Sequence, residues 1–360
     1  MEDVVMDPDF WKKRTVLVTG HTGFKGSWLS LWLQELGAEL TGFSIDLPSI
    51  PCMFEVANVA TGMQSINGDV RNLEQMQTCL EICQPEIVIH MAAQSLVRRS
   101  YSYPIETYST NVMGTVNVLE AVRNVPSVKA VIVVTSDKCY ENRDLDRGYR
   151  EDDSMGGYDP YSSSKGCAEI VTAAYRSSYF SDTHSVGVAT VRGGNVIGGG
   201  DWSRDRLIPD VVTAFAKRES VAIRNPEAIR PWQFVLDPLR GYLVLAEALW
   251  QGGDRFATSW NFGAVEDNAW PVSEIVERIA KRWGEGASWT IDTASHPHEA
   301  QRLELDCTKA KSLLNWSPRI DVAVAVDWTV EWYKSYQGKK YNMRDLSTEY
   351  IYRYQELEVV

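Results

Sequence analysis

The chain has 360 residues, 44% apolar, 23% charged and 11% aromatic, with a formal net charge of −12. Its length predicts two lobes rather than one. The acidic balance argues against a general nucleic-acid or membrane-surface binder, since both want a basic face, so an anionic ligand needs a local arginine cluster. The opening MEDVVMDPDFWKK is acidic and has no apolar centre, unlike a secretion signal. No apolar run is long enough to cross a bilayer. The six cysteines (52, 79, 83, 139, 167 and 307) form no CxxC pair, and the five histidines form no ligand set. This predicts reduced thiols, a cytoplasmic protein and no metal.

In chain order, TVLVTG (15–20) reads as a short strand ending in Gly. A helix follows, with Trp28, Leu31, Trp32 and Leu36 at helical spacing and Gly37 as its stop. LTGFSID is a second strand, closed by Asp46. A helix carrying Leu73, Met76 and Leu80 precedes the strand EIVIHMA (86–92). TVNVLEAVRN is helix, KAVIVVTS strand, PYSSSKGCAEIVTAAYRSSYF helix and VGVATVR strand. Such alternation predicts an α/β, doubly wound, Rossmann-type parallel sheet whose ligands lie beyond the carboxyl ends of the strands. We expect a nucleotide-binding domain over 10–192, with a return segment at about 232–262. A smaller substrate-binding lobe is expected over 193–231 and 263–340. GGNVIGGGDWSRDR reads as a loop. PDVVTAFAKR, PVSEIVERIAKRW and TKAKSLLNW read as helices among short strands, and the tail 341–360 is left without a role.

Three motifs carry chemistry. TGHTGFKG places Gly20, Gly23 and Gly26 between the first strand and first helix, where glycines let the backbone approach a pyrophosphate at the helix N-terminus. Asp46 follows Gly26 by twenty residues, at the end of the next strand, where an acid bonds a ribose 2′-hydroxyl and disfavours a 2′-phosphate. Tyr161 and Lys165 share a helix face at i, i+4, and an ammonium beside a phenol favours the phenolate. Finally, VTSDKCY (134–140) brings a hydroxyl, a carboxyl and an amine out of a buried strand at Ser136, Asp137 and Lys138.

Together, TGxxGxxG, the hydroxyl after the fifth strand and YxxxK resemble the extended short-chain dehydrogenase/reductase family. GDVRN, MAAQSLVRRSYSYP, NVMGTVNVLEAVR, RGGNVIGGG, RLIPDVV and RPWQFVLDPLRGY are similar to its sugar-nucleotide branch. GHTGFKGSWL, TSDKCY and RPWQFVLDPL most resemble the 4,6-dehydratases of that branch that act on a CDP-hexose. The resemblance implies that Gly20, Gly23, Phe24 and Gly26 hold the pyrophosphate of NAD, Asp46 its ribose, and Asp69 with Val70 its adenine. Ala92 and Ala93 would line its nicotinamide side. Tyr161, Lys165 and Ser136 match the catalytic set, while Asn195, Arg206, Arg230 and Arg302 match the grip on the sugar nucleotide. The competing reading of each arginine is a surface ion pair, with Arg230, before Pro231 and a strand-like WQFVLD, the strongest of the set; His298 is as readily a structural histidine as a ligand contact. A homodimer or homotetramer is implied, through helices near 104–124 and 160–180, whose apolar stripes (Val116, Val118, Leu119, Val122; Ile170, Val171, Ala174) are equally readable as core against the sheet.

A 4,6-dehydration needs an acid and a base on the C5–C6 side of the sugar, beyond the Tyr, Ser and Lys that oxidise C4. Asp137 and Lys138 are the candidates, with Asp137 protonating the leaving hydroxyl and Lys138 taking the C5 proton. They titrate together, so the roles can be reversed or shared through a water. Relatives acting on dTDP-glucose carry Asp-Glu here, and Lys138 departs from that pattern. A C4 epimerase needs neither group. That isomerase and a non-catalytic NAD-binding scaffold are the competing readings.

Overall fold

The computed structural model describes residues 6–143, 145–180, 186–264, 269–284, 286–294 and 303–357. Its strands are β1 (Thr15–Thr19), β2 (Glu39–Ser44), β3 (Gln64–Asn67), β4 (Ile87–His90), β5 (Ala130–Val134), β6 (Gly187–Gly193), β7 (Asn195–Ile197), β8 (Val221–Ile223), β9 (Ile229–Phe234), β10 (Ser259–Phe262), β11 (Ala269–Pro271) and β12 (Trp289–Ile291). Its helices are α1 (Phe24–Glu35), α2 (Met53–Val56), α3 (Leu73–Cys83), α4 (Val97–Ser102), α5 (Pro104–Tyr108), α6 (Gly114–Val122), α7 (Pro160–Tyr179), α8 (Leu207–Ala216), α9 (Leu236–Gly252), α10 (Val272–Trp283), α11 (Thr308–Leu314), α12 (Val322–Gly338) and α13 (Met343–Gln355). None of these is long and apolar enough to cross a membrane.

Seven strands form one sheet in the order β10-β6-β5-β4-β1-β2-β3, and every pairing in it is parallel. Alternate residues of a strand point to opposite faces. Val16 and Val18 of β1, with Ile87 and Ile89 of β4, therefore pack toward α1 and α9. Leu17, Val88, Val131 and Val133 pack toward α3 and α6 on the other face. The chain returns to the central sheet through α9 and β10 after leaving it at β7. The remaining strands make a three-stranded sheet, β11-β9-β7, and a pair, β12-β8.

Two readings change here. The glycine-rich stretch after β6 is not all loop: β7 pairs in parallel with Trp232–Phe234 of β9. A three-residue strand between glycines is too short to show a period. The tail forms helix α13, which buries Tyr350, Ile351 and Tyr354. The Tyr354 ring meets Trp32 of α1 edge-on at 5.6 Å, and its hydroxyl donates to Asp237 Oδ1 at 2.7 Å. Helix α1 thus lies between the sheet and the tail, which is why it buries Leu29 and Leu33 beyond its predicted stripe.

Candidate active site

The carboxyl ends of the parallel strands open into one cavity of about 1850 Å³, roofed by α8, β8 and β9. At one end the chain leaves β1 through Gly20, whose φ is +76°, and a Cβ there would come within 2.7 Å of the Ala92 nitrogen. A Cβ on Gly26 would lie 2.1 Å from the Gly20 carbonyl oxygen. The turn is therefore closed by backbone meeting backbone, with Gly23 capping the N-terminus of α1. Such a cradle, at a helix N-terminus, fits a dinucleotide pyrophosphate. Phe24, Asp46, Asp69, Val70, Ala92 and Ala93 line the same cavity. Asp46 is exposed just past β2. The Asp69 carboxylate already accepts from the Arg71 backbone at 2.9 Å and its guanidinium at 2.8 Å.

At the centre, α7 begins at Pro160, with Asp159 accepting from the Ser162 nitrogen as its cap. Lys165 reaches back to donate to the Val134 carbonyl at 3.1 Å, at the end of β5. Burial, together with repulsion from Lys25, lowers its pKa to about 7. Burial pushes the Tyr161 phenol up to about 12, while a hydrogen bond with Ser136 pulls the other way. Lys165 thus bonds backbone rather than the phenol in this state. Beyond β5 a single turn of 3-10 helix, Asp137–Cys139, is capped by Ser136. The Ser136 hydroxyl donates to Asp137 Oδ1 at 2.8 Å and accepts from the Lys138 nitrogen at 3.2 Å. Burial holds the Asp137 carboxyl above its ordinary range, against the opposing pull of Lys138 and Ser136. Lys138 lines the cavity beside it.

At the far end, Asn195, Arg206 and Arg230 line the cavity. Arg206 donates to Asp201 at 2.9 Å and to the Ser95 hydroxyl at 3.0 Å, and Arg230 to the Ile229 carbonyl at 3.2 Å. Arg302 and His298 lie outside the described residues.

A family model described as GDP-mannose 4,6 dehydratase matches residues 17–328. The chain belongs to that family. It is 52% identical to the CDP-glucose 4,6-dehydratase of Salmonella typhimurium over 336 residues, 92% of this chain and 94% of the relative. Among solved structures, a double mutant of the dTDP-glucose 4,6-dehydratase DesIV from Streptomyces venezuelae, with NAD bound, matches with a TM-score of 0.75 at 23% identity. The match covers 90% of this chain and 98% of that one. The UDP-glucose 4-epimerase of Thermotoga maritima matches with a TM-score of 0.76 at 21% identity, covering 89% and 98%. The fold alone therefore does not separate elimination from epimerisation.

This member of the dehydratase family also lines its cavity with Lys25, Arg98, Arg99, Arg204 and Arg224, which sequence reasoning missed. Lys25 sits inside the glycine motif, and a lysine at that position was the available signal. Burial and the neighbouring Arg206 lower its pKa to about 8. Arg224 meets Asp205 at 3.9 Å and Asp210 at 4.0 Å; burial lifts Asp210 to about 6. Asn111, in a π-helical segment (Ser109–Met113) between α5 and α6, donates to the Gln94 carbonyl at 2.9 Å and the Ser164 hydroxyl at 2.8 Å. It ties the exit of β4 to α7. His21 and His90 are buried, with pKa values lowered by burial to about 4 and about 3. Both bond to hydroxyls, His21 to Ser65 and His90 to Thr19.

Proposed function

We propose that the chain is a CDP-glucose 4,6-dehydratase, an NAD-dependent hydro-lyase giving CDP-4-keto-6-deoxy-glucose with no net consumption of NAD. The observation that carries this reading is the Ser136–Asp137–Lys138 turn opening into the same cavity as Tyr161 and Lys165. The 52% identical relative supports the choice of nucleotide. Bound NAD supplies a hydride acceptor for C4 at the outset and a hydride donor for C6 at the end. Gly20, Gly23, Phe24 and Gly26 would hold its pyrophosphate, Asp46 a ribose, Asp69 and Val70 the adenine, and Ala92 and Ala93 the nicotinamide side.

The chain's own residues handle protons. Tyr161, acting as phenolate, takes the C4 hydroxyl proton, with Ser136 bonded to the same oxygen. The ketone so formed acidifies C5, because the carbanion delocalises as an enolate. Lys138, as free amine, takes the C5 proton, while Asp137 protonates the C6 hydroxyl and water leaves. Lys138 then returns its proton to C5. At the end Tyr161 is one proton richer and Asp137 one poorer. The Ser136 hydroxyl, bonded to both, offers the route that resets them. Asn195, Arg206 and Arg230 grip the diphosphate, for which planar guanidinium forks are suited.

We further infer that two copies pair through the α5–α7 side. Ile105, Tyr108, Met113, Ile170 and Tyr179 are large apolar side chains left exposed there, and a monomer rarely exposes a patch of that kind. Ile105→Glu should shift the mass seen by light scattering to that of one chain. The six free thiols fit a reducing, cytoplasmic compartment.

The test of function is incubation with CDP-, UDP-, GDP- and dTDP-glucose and catalytic NAD. Loss of one water from the CDP-sugar, without net NADH, is expected. A changed sugar of unchanged mass would make the chain an epimerase, and untouched substrates would leave a scaffold.

A further inference from the structure

We propose that the buried ion pair Glu169–Arg192 is a positioning device. It holds the elimination turn, Ser136–Cys139, in register with the oxidation pair, Tyr161 and Lys165. The proposal rests on the dehydratase reading above.

Glu169 lies one helical turn beyond Lys165 and two beyond Tyr161, so it is fixed to the helix that carries the oxidation chemistry. Its carboxylate accepts from Arg192 Nη2 at 2.8 Å, with both side chains about 5% exposed or less (4% and 5%). It also accepts from the Thr135 hydroxyl at 2.5 Å and the Thr190 hydroxyl at 2.7 Å. Arg192, on β6, sends its other arm to the Tyr140 hydroxyl at 2.6 Å and the Glu151 carbonyl at 3.1 Å. Tyr140 passes the chain on to Asn261 Oδ1 of β10 at 2.8 Å. Thr135 and Tyr140 are the residues on either side of Ser136–Cys139. Both ends of the turn bearing Asp137 and Lys138 are therefore anchored to one ion pair, and that pair is rooted in the helix bearing Tyr161 and Lys165.

A purely structural role explains this poorly. Burying two charges costs about as much as their attraction returns, and a well-packed apolar pair of similar volume is generally as stable. What an apolar pair lacks is direction. Dispersion contacts do not fix a turn to within about 0.5 Å, the tolerance that catalytic groups demand. The reaction needs such precision because Tyr161 works on C4 while Asp137 and Lys138 work on C5 and C6. The two sets of groups come from different elements, and the substrate is one rigid ring. Glu169 also faces Lys165 electrostatically. For this reason the decisive variants are those that cut the links to the turn and leave the charges alone.

The experiment compares Thr135→Val, Tyr140→Phe and Thr190→Val in the NAD-loaded full chain turning over CDP-glucose. Four quantities are followed: KM, kcat, NADH absorbance during turnover, and the mass of released sugar nucleotide. Thr190→Val serves as control, because it removes one bond to the same carboxylate without touching the turn. Thr135→Val and Tyr140→Phe should each leave KM within about twofold. Each should lower kcat by about tenfold to a hundredfold. Bound NADH should rise, with some CDP-4-keto-glucose escaping before it loses water. Thr190→Val should lose melting temperature to a similar extent yet keep the wild-type NADH level. Unchanged NADH in Thr135→Val and Tyr140→Phe, or the same NADH rise in Thr190→Val, would overturn the proposal. A wild-type chain that removes no water from CDP-glucose would instead sink the functional reading beneath it.

Discussion

Two turns at the carboxyl ends of parallel strands are held in shape by opposite means. The turn from Gly20 to Gly26, after β1, is closed by backbone against backbone, with no space for a methyl group at either end. The turn from Ser136 to Tyr140, after β5, is hung from side-chain hydrogen bonds that end in a buried ion pair. Steric closure is all-or-none, whereas a hydrogen-bonded suspension loosens one link at a time. The first suits a cradle for a cofactor that must be retained, and the second suits groups whose aim must be set against another helix.

That contrast can be broken at its strongest point. Gly26→Ala puts a Cβ where 2.1 Å separates it from the Gly20 oxygen. It should abolish measurable NAD binding by calorimetry and cost more than about 3 kcal/mol of stability; wild-type NAD affinity in this variant would end the steric account. Next in size is Lys138→Met. In a single turnover it should slow water loss by about 10²–10⁴-fold while C4 oxidation, seen as NADH, persists. Release of deoxysugar product at the normal rate would remove Lys138 from the mechanism. The smallest effect concerns a carboxyl that belongs to neither turn. Burial raises the pKa of Asp237 to about 7, with its bonds to Arg319 and Tyr354 opposing. Between about pH 4 and the folded-state value the folded chain holds more protons than the unfolded one, so this group makes stability fall as pH rises through that window and level off above it. Asp237→Asn keeps the acceptor for Tyr354 and should flatten the fall, gaining roughly 1–2 kcal/mol near about pH 8. Identical pH-dependence of melting in variant and wild type would remove Asp237 as its source.

The same contrast accounts for what could be read in advance. Glycines that no other residue can replace leave their signature in consecutive letters, so the cradle was legible from TGHTGFKG. The buried strands were legible because Val16 to Val18 and Ile87 to Ile89 are continuously apolar, and the helices because their stripes recur every three or four residues. Tyr161, Lys165, Ser136 and Asp137 were placed by their positions at strand and helix ends. Nothing in the letters joins Thr135 and Tyr140, from the turn after β5, to Glu169 of α7 and Arg192 of β6. Arg98, on α4 after β4, and Arg224, just past β8, line the same cavity from segments far apart in the chain, which no local pattern announces. Helix α13 escaped notice because Tyr350 and Tyr354 are amphipathic, and their burial depends on α1 and α12 being in place.

That last helix has a mechanical consequence. Helix α12 packs against β7 and β9 of the three-stranded sheet, and α13 turns back to wedge Tyr354 between Trp32 and Asp237. Helix α13 thus clamps α12, and with it the three-stranded sheet, to α1 and α9, the helices that cover one face of the central sheet.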